Sequence, residues 1–150
     1  MSFELPAAHR ELLERARETA DKVRWHAGEA DAATDVDPVM REALQASGLV
    51  AVTVPAAHGG AGETVDPLAV TVVREAFGGV SAHLDSLFAM QGIGSFGISL
   101  GGSDAVRKRW LPAVGSVVSL MAGRLYARRR RGTQSAKPAA QRPCSCDPDH

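Results

Sequence analysis

"SAHLDSLFAMQGIGSFGISLGGSD" (Ser81–Asp104) carries five of the fifteen glycines in a 150-residue chain. Within it, Gly92–Gly97 fits G-x-G-x-x-G, the loop that cradles a dinucleotide pyrophosphate. That reading needs a strand before the motif, a helix opened by it and an acidic residue about twenty positions later. The segment before the motif opens instead on Ser81, a good helix cap. Gly101-Gly102 would end any helix the motif opened, and no Asp or Glu falls between Asp104 and Asp147. The stretch therefore reads as one helix from Ser81 to about Leu100. Leu84, Leu87, Phe88, Met90, Ile93, Phe96, Ile98 and Leu100 spread around its circumference, which predicts burial on several sides. Gly92, Gly94 and Gly97 each cost roughly 1 kcal/mol relative to alanine in a helix interior. Close approach of a neighbouring backbone is one reason for them, and room for a long, thin ligand is the other. The residues alone leave both open.

Working outward, Ser103 caps a helix from Asp104 to about Val114, with Asp104 suited to the positive end of the helix dipole. Upstream, Val65–Phe77 reads as a helix ended by Gly78-Gly79. "LVAVTVP" (Leu49–Pro55) is β-rich and predicts an extended segment, followed by the glycine turn "AAHGGAG". Asp37-Pro38 opens another helix that ends near Ser47-Gly48. Residues 6–27 form the first, with Leu12, Leu13, Ala16, Ala20, Val23 and Ala27 at helical spacing, Gly28 as its stop and a loop over 29–36. The fold class is all-α, with five helices in residues 1–114.

The formal net charge of zero is a cancellation. Residues 1–114 hold ten Lys/Arg against fifteen Asp/Glu, a net of −5, and residues 115–150 hold seven against two, a net of +5. "ARRRRGTQSAKPAAQRPCSCDPDH" is poor in apolar residues, which predicts disorder from about Gly132. Residues 117–126 extend the last helix or form a short one of their own. No apolar run reaches the roughly 18–20 residues of a membrane span. The N-terminus has no signal-peptide pattern, and two cysteines give no disulfide framework, so the expected setting is cytoplasmic.

The stretches Leu49–Gly62 and Val72–Val114 together resemble the N-terminal helical domain of the acyl-CoA dehydrogenases. The family's T-V-P-x-x-x-G-G-x-G turn is matched by Thr53, Val54, Pro55, Gly59, Gly60 and Gly62, with His58 where a tyrosine usually stands. Its G-S-D-x-x-[KR]-x-[KR]-W-L-P segment is matched by Gly102, Ser103, Asp104, Arg107, Arg109, Trp110, Leu111 and Pro112. The resemblance covers about residues 5–114. It implies FAD-dependent α,β-dehydrogenation of acyl-CoA thioesters, in which a glutamate removes the α proton and the β hydrogen passes to the flavin. It also implies that the acyl chain lies against the glycine-containing helix, with pocket-facing positions at Asp85, Ser86, Ala89, Met90 and Ile93. A plain core helix is the competing reading of those five residues.

After Val114 the family's Thr-Glu-Pro-x-x-Gly-Ser-Asp segment is not found. The middle β-domain and the C-terminal bundle with the general-base glutamate are expected to be absent, as in a truncated or frameshifted product. Residues 1–114 are then the family-like domain and 115–150 a non-homologous basic tail. No catalytic residue is assigned, since Glu42, Glu63, Glu75 and Asp85 read as caps, solvated groups or pocket lining. Cofactor-binding positions are unknown, and the chain alone is expected to be inactive. A non-catalytic module that binds an acyl chain or a partner subunit is the alternative. Exposed apolar surface and self-association into a homo-oligomer are expected.

Other constellations are weaker. His9, His26, His58, His83 and His150 lack the spacing of a zinc site and read as surface or loop groups. Cys144-x-Cys146 with His150 is at most a partial metal site, and no metal is assigned. Arg128–Arg131 could meet phosphates, but only Tyr126 is near to stack on bases, so nucleic acid is not the expected partner.

Overall fold

The computed structural model describes residues 4–115. Within them the helices are α1 (Ala7–Val23), α2 (Ala27–Ala32), α3 (Pro38–Ser47), α4 (Pro67–Gly78), α5 (Ala82–Gly101) and α6 (Asp104–Gly115). The all-α expectation holds, and each of the five expected helices is present. Three 3-10 turns link them, at Arg24–His26, Leu49–Thr53 and Ala56–His58. Among the described residues no strand forms, and the one bridge joins Pro55 to Gly62.

Local chemistry sets the helix ends. Asp37 accepts the Met40 N–H at 2.9 Å with Pro38 at the first helical position, and Gly48 closes α3 in the left-handed region at φ 66°. Asp66 accepts the Leu68 N–H at 2.8 Å to open α4. Ser81 accepts the Leu84 N–H at 3.2 Å to open α5. The Gly102 N–H bonds the Ile98 carbonyl at 2.9 Å where α5 stops.

Two local expectations change. The first helix does not run to Ala27, because Val23 departs to φ −113°, ψ 4° and a 3-10 turn follows. Gly28 is inside α2 rather than a stop, and residues 29–32 are helical rather than loop. The turn directs His26 onto Asp37, and α2 carries Asp31 to the start of α5. The second change concerns Leu49–Pro55. Leu49–Thr53 is a 3-10 turn, and only Val54 and Pro55 are extended. Local bonds from Ala51 N–H to the Gly48 carbonyl and from Val54 N–H to the Ala51 carbonyl satisfy the backbone, while Leu49, Val50, Thr53 and Val54 are buried. β-branched residues suit a half-buried surface without requiring a sheet.

The core lies between these helices. α1 packs chiefly on α4, burying Leu13, Ala16, Thr19, Ala20 and Val23 on one face. Phe77 of α4 and Phe88 of α5 meet edge to face, with ring centroids 5.7 Å apart. Met40, Leu44, Leu84 and Leu111 fill in around them. Among the described residues, no helix is long and apolar enough to cross a membrane. The expected disorder from Gly132, the fate of residues 117–126, the arginine run and the Cys144, Cys146 and His150 group all lie outside the described residues.

Candidate functional site

The first turn of α5 is held from three directions. The Ser81 hydroxyl donates to Asp31 Oδ1 at 2.6 Å, and the Ala82 and His83 amides donate to the same carboxylate at 3.2 and 2.9 Å. Asp31 is thus a cap delivered across fifty residues, and the Ser81 hydroxyl holds its carboxyl below the usual range, aided by the His83 amide. The Asp37 N–H donates to His83 Nε2 at 3.0 Å. From α4, Arg74 makes a two-pronged contact with Asp85, Nε to Oδ1 at 2.9 Å and Nη2 to Oδ2 at 2.7 Å.

One face of α5 packs inward through Leu84, Leu87, Phe88, Gln91 and Ser95. Ser95 donates to the Thr53 carbonyl at 2.9 Å, which draws the Leu49–Thr53 turn against the helix. The opposite face is open. Met90, Ile93, Phe96 and Leu100 are 43%, 68%, 52% and 69% exposed, so the helix is not buried all round as its composition suggested. Of the five expected pocket positions, Ser86, Met90 and Ile93 lie on this open face. Ala89 is half-buried at its edge. Asp85, also half-buried, is bound to Arg74. Helical geometry brings all five to one side of α5.

The glycines divide. A methyl on Gly92 would meet the Thr53 Cγ2 at 3.5 Å, an ordinary contact, and a methyl on Gly97 would meet nothing within 4 Å. Neither glycine is required by a backbone pressed against it. The Thr53–Gly62 turn is different. A Cβ on Gly60 would fall 1.5 Å from the Val54 carbonyl oxygen, so only glycine fits. Ala56 N–H bonds the Gly62 carbonyl at 2.7 Å and Gly60 N–H bonds that of Pro55 at 3.1 Å, closing the turn on itself.

Glu42, Glu63 and Glu75 are exposed, and Asp85 is paired. Among the described residues no three His, Cys, Asp or Glu side chains gather as metal ligands. His26 departs from the expectation of a surface group. It is buried, with Nε2 2.9 Å from Asp37 and Nδ1 3.2 Å from Glu29. The Asp37 hydrogen bond, against the opposing effect of burial, raises the His26 pKa. The Met40 amide does most to lower that of Asp37. The Asp37 contribution to stability is present above the ordinary carboxylate value and lost as pH falls through its lowered one. The His26 contribution is complete below the ordinary imidazole value and lost as pH rises through its raised one. The pair is therefore strongest between about pH 4 and 6.5.

Arg74 and Asp31 were not singled out from the sequence, and His83 was read only as a surface or loop group. Arg74 and Asp85 are on different helices, and Asp31 and Ser81 are fifty residues apart, so no local spacing marks them.

Residues 6–117 match the model of the acyl-CoA dehydrogenase N-terminal domain. The chain belongs to the acyl-CoA dehydrogenase family. It is 31% identical over 149 residues to a "Probable acyl-CoA dehydrogenase" of Mycobacterium bovis, covering 99% of this chain and 37% of that protein. The same values relate it to a protein of that name in Mycobacterium tuberculosis. A Mycobacterium leprae relative of the same description is 32% identical over 135 residues, covering 89% of this chain and 34% of its own length. This acyl-CoA dehydrogenase family chain thus spans about a third of the length of the curated relatives it matches.

Proposed function

We propose that the chain supplies the acyl-chain wall of an acyl-CoA dehydrogenase site and does not catalyse on its own. The reading rests on one observation: the family's glycine-containing helix presents Ser86, Met90 and Ile93 on an open apolar face, continued by Phe96 and Leu100. An acyl chain laid along this face buries apolar surface at roughly 25 cal/mol per Å², and Gly97 leaves room beside it. The Arg74–Asp85 pair marks the polar end. Asp85, Ser86, Ala89, Met90 and Ile93 are the proposed acyl contacts.

The reaction that this wall would serve is FAD-dependent α,β-dehydrogenation of an acyl-CoA thioester. The described residues do not themselves fit a flavin. The Thr53–Gly62 turn closes on its own carbonyls, and Gly92–Gly97 is interior helix. Glu42, Glu63 and Glu75 are exposed and Asp85 is paired with Arg74, so none of them is assigned as the base. General base and hydride acceptor must be held together for the chemistry to run, so this chain alone is expected to be inactive. A non-catalytic module that takes an acyl chain or a partner subunit on the same face is the second reading, favoured by the want of a base.

A visible spectrum of the purified chain, with and without added FAD and then an acyl-CoA, tests both. No bound flavin, together with saturable acyl-CoA binding weakened by Ile93→Asp, supports the wall. Flavin that binds and bleaches on adding acyl-CoA overturns the inactivity. No acyl-CoA binding, with self-association through the open face, favours the partner-binding reading.

A further inference from the structure

Two histidines meet the connection between α2 and α3, and their surroundings ask opposite things of them. Both ring nitrogens of His26 face carboxylates, Asp37 at 2.9 Å and Glu29 at 3.2 Å. The hydrogen bond to Asp37 and the two nearby carboxylates favour the protonated ring. His83 instead receives the Asp37 backbone N–H on Nε2 at 3.0 Å. An amide N–H can only donate, so Nε2 must keep its lone pair and any ring proton must sit on Nδ1. Protonating His83 would place two N–H groups against each other and remove the bond.

We propose that His83 is an acid-released latch that joins the α2–α3 connection to the first turn of α5, closed only while its imidazole is neutral. The groups around it act in both directions. Asp31 from α2 accepts the His83 amide at 2.9 Å and brings a negative charge to the first turn of α5. The Asp37 N–H and the positive end of α5 bring partial positive charge, since His83 lies in the first turn. Asp85 sits two residues along and is compensated by Arg74. His26, on the far side of Asp37, adds positive charge. When the latch opens, the Asp37 side chain still holds His26 and the Met40 amide, so α3 keeps its cap, and only the Asp37 backbone lets go of α5 while Asp31 keeps its hold on the first turn. The latch stands whether or not the acyl-chain reading does.

The test uses the full chain, labelled with ¹⁵N. Imidazole nitrogen shifts are expected to show His83 protonated on Nδ1 and bare on Nε2 above its titration. Exchange protection of the Asp37 amide, corrected for the intrinsic rate, should fall by up to about tenfold per pH unit as pH drops toward the His83 midpoint and level off below it, as release of one bond by one proton requires. In His83→Gln the side-chain oxygen can still accept but does not titrate, so the fall should vanish. An Nε2-protonated tautomer, Asp37 protection that ignores the His83 titration, or a fall that persists in His83→Gln would each overturn the latch. Should His83→Gln fail to fold, the tautomer and the Asp37 exchange of the native chain decide.

Discussion

The two ends of α5 are built on different terms. Its first turn is tied by Ser81, Asp31, the Asp37–His83 bond and the Arg74–Asp85 pair. Its second half turns Ile93, Phe96 and Leu100 to the outside, on a helix that contains Gly92, Gly94 and Gly97. One helix thus combines an anchored start with an uncovered apolar face. Anchoring by hydrogen bonds fixes where the face points. The apolar face itself gains nothing from the described fold, so its composition answers to something the fold alone does not use. Exposed apolar surface of this kind marks a place for a ligand or another protein surface.

That contrast can be broken most sharply on the buried side. Phe88→Ala removes a fully buried ring and its edge contact with Phe77, and a loss of about 3–5 kcal/mol is expected in urea unfolding. A loss below about 1 kcal/mol would mean that α5 is not held by this core. Asp31→Ala should be milder. It removes the cap partner of Ser81, Ala82 and His83, and about 1 kcal/mol of stability should go with it, with faster amide exchange confined to the first turn of α5.

On the open side the expected signs change. Gly97→Ala meets nothing within 4 Å and should raise the unfolding free energy by about 0.5–1 kcal/mol. If that gain comes with weaker acyl-CoA binding, the glycine is kept for the ligand. If binding is untouched, room at Gly97 is not what the face offers. The smallest stability effect belongs to the pair Ile93→Ser and Leu100→Ser, each within about 0.5 kcal/mol of the parent chain. Both should lower binding of a hydrophobic dye and any self-association seen by light scattering. A large destabilisation would show that this face is covered within the chain.

Much of the fold was legible because its cues are local. Asp37-Pro38, Ser81, Gly48 and Gly101-Gly102 act within a few residues of themselves, and each stands where its chemistry predicted. The break after Val23 was not legible. Gly28 looked like the stop, but a glycine with open space around it can stay helical, and the turn begins four residues earlier, at Arg24, so that His26 reaches Asp37. Leu49–Thr53 misled for a related reason, since its β-branched residues are buried in a 3-10 turn with no strand beside it. In the site, the motif residues placed Ser86, Met90 and Ile93 on α5. That Asp85 is paired to Arg74 depends on how α4 meets α5, which no spacing along the chain encodes.

The sequence by itself determined five of the helices, the Asp37 and Ser81 caps, the glycine turn and the family that these motifs carry. Those properties follow from backbone sterics and hydrogen bonds between near neighbours. Only the tertiary structure decided which side of α5 is open, that Asp31 caps a helix fifty residues away, and that His26 and His83 meet one connection with opposite protonation demands. A helix whose apolar residues run right round it carries no preferred inward side of its own. The packing of α3, α4, α6 and the Leu49–Thr53 turn supplies one.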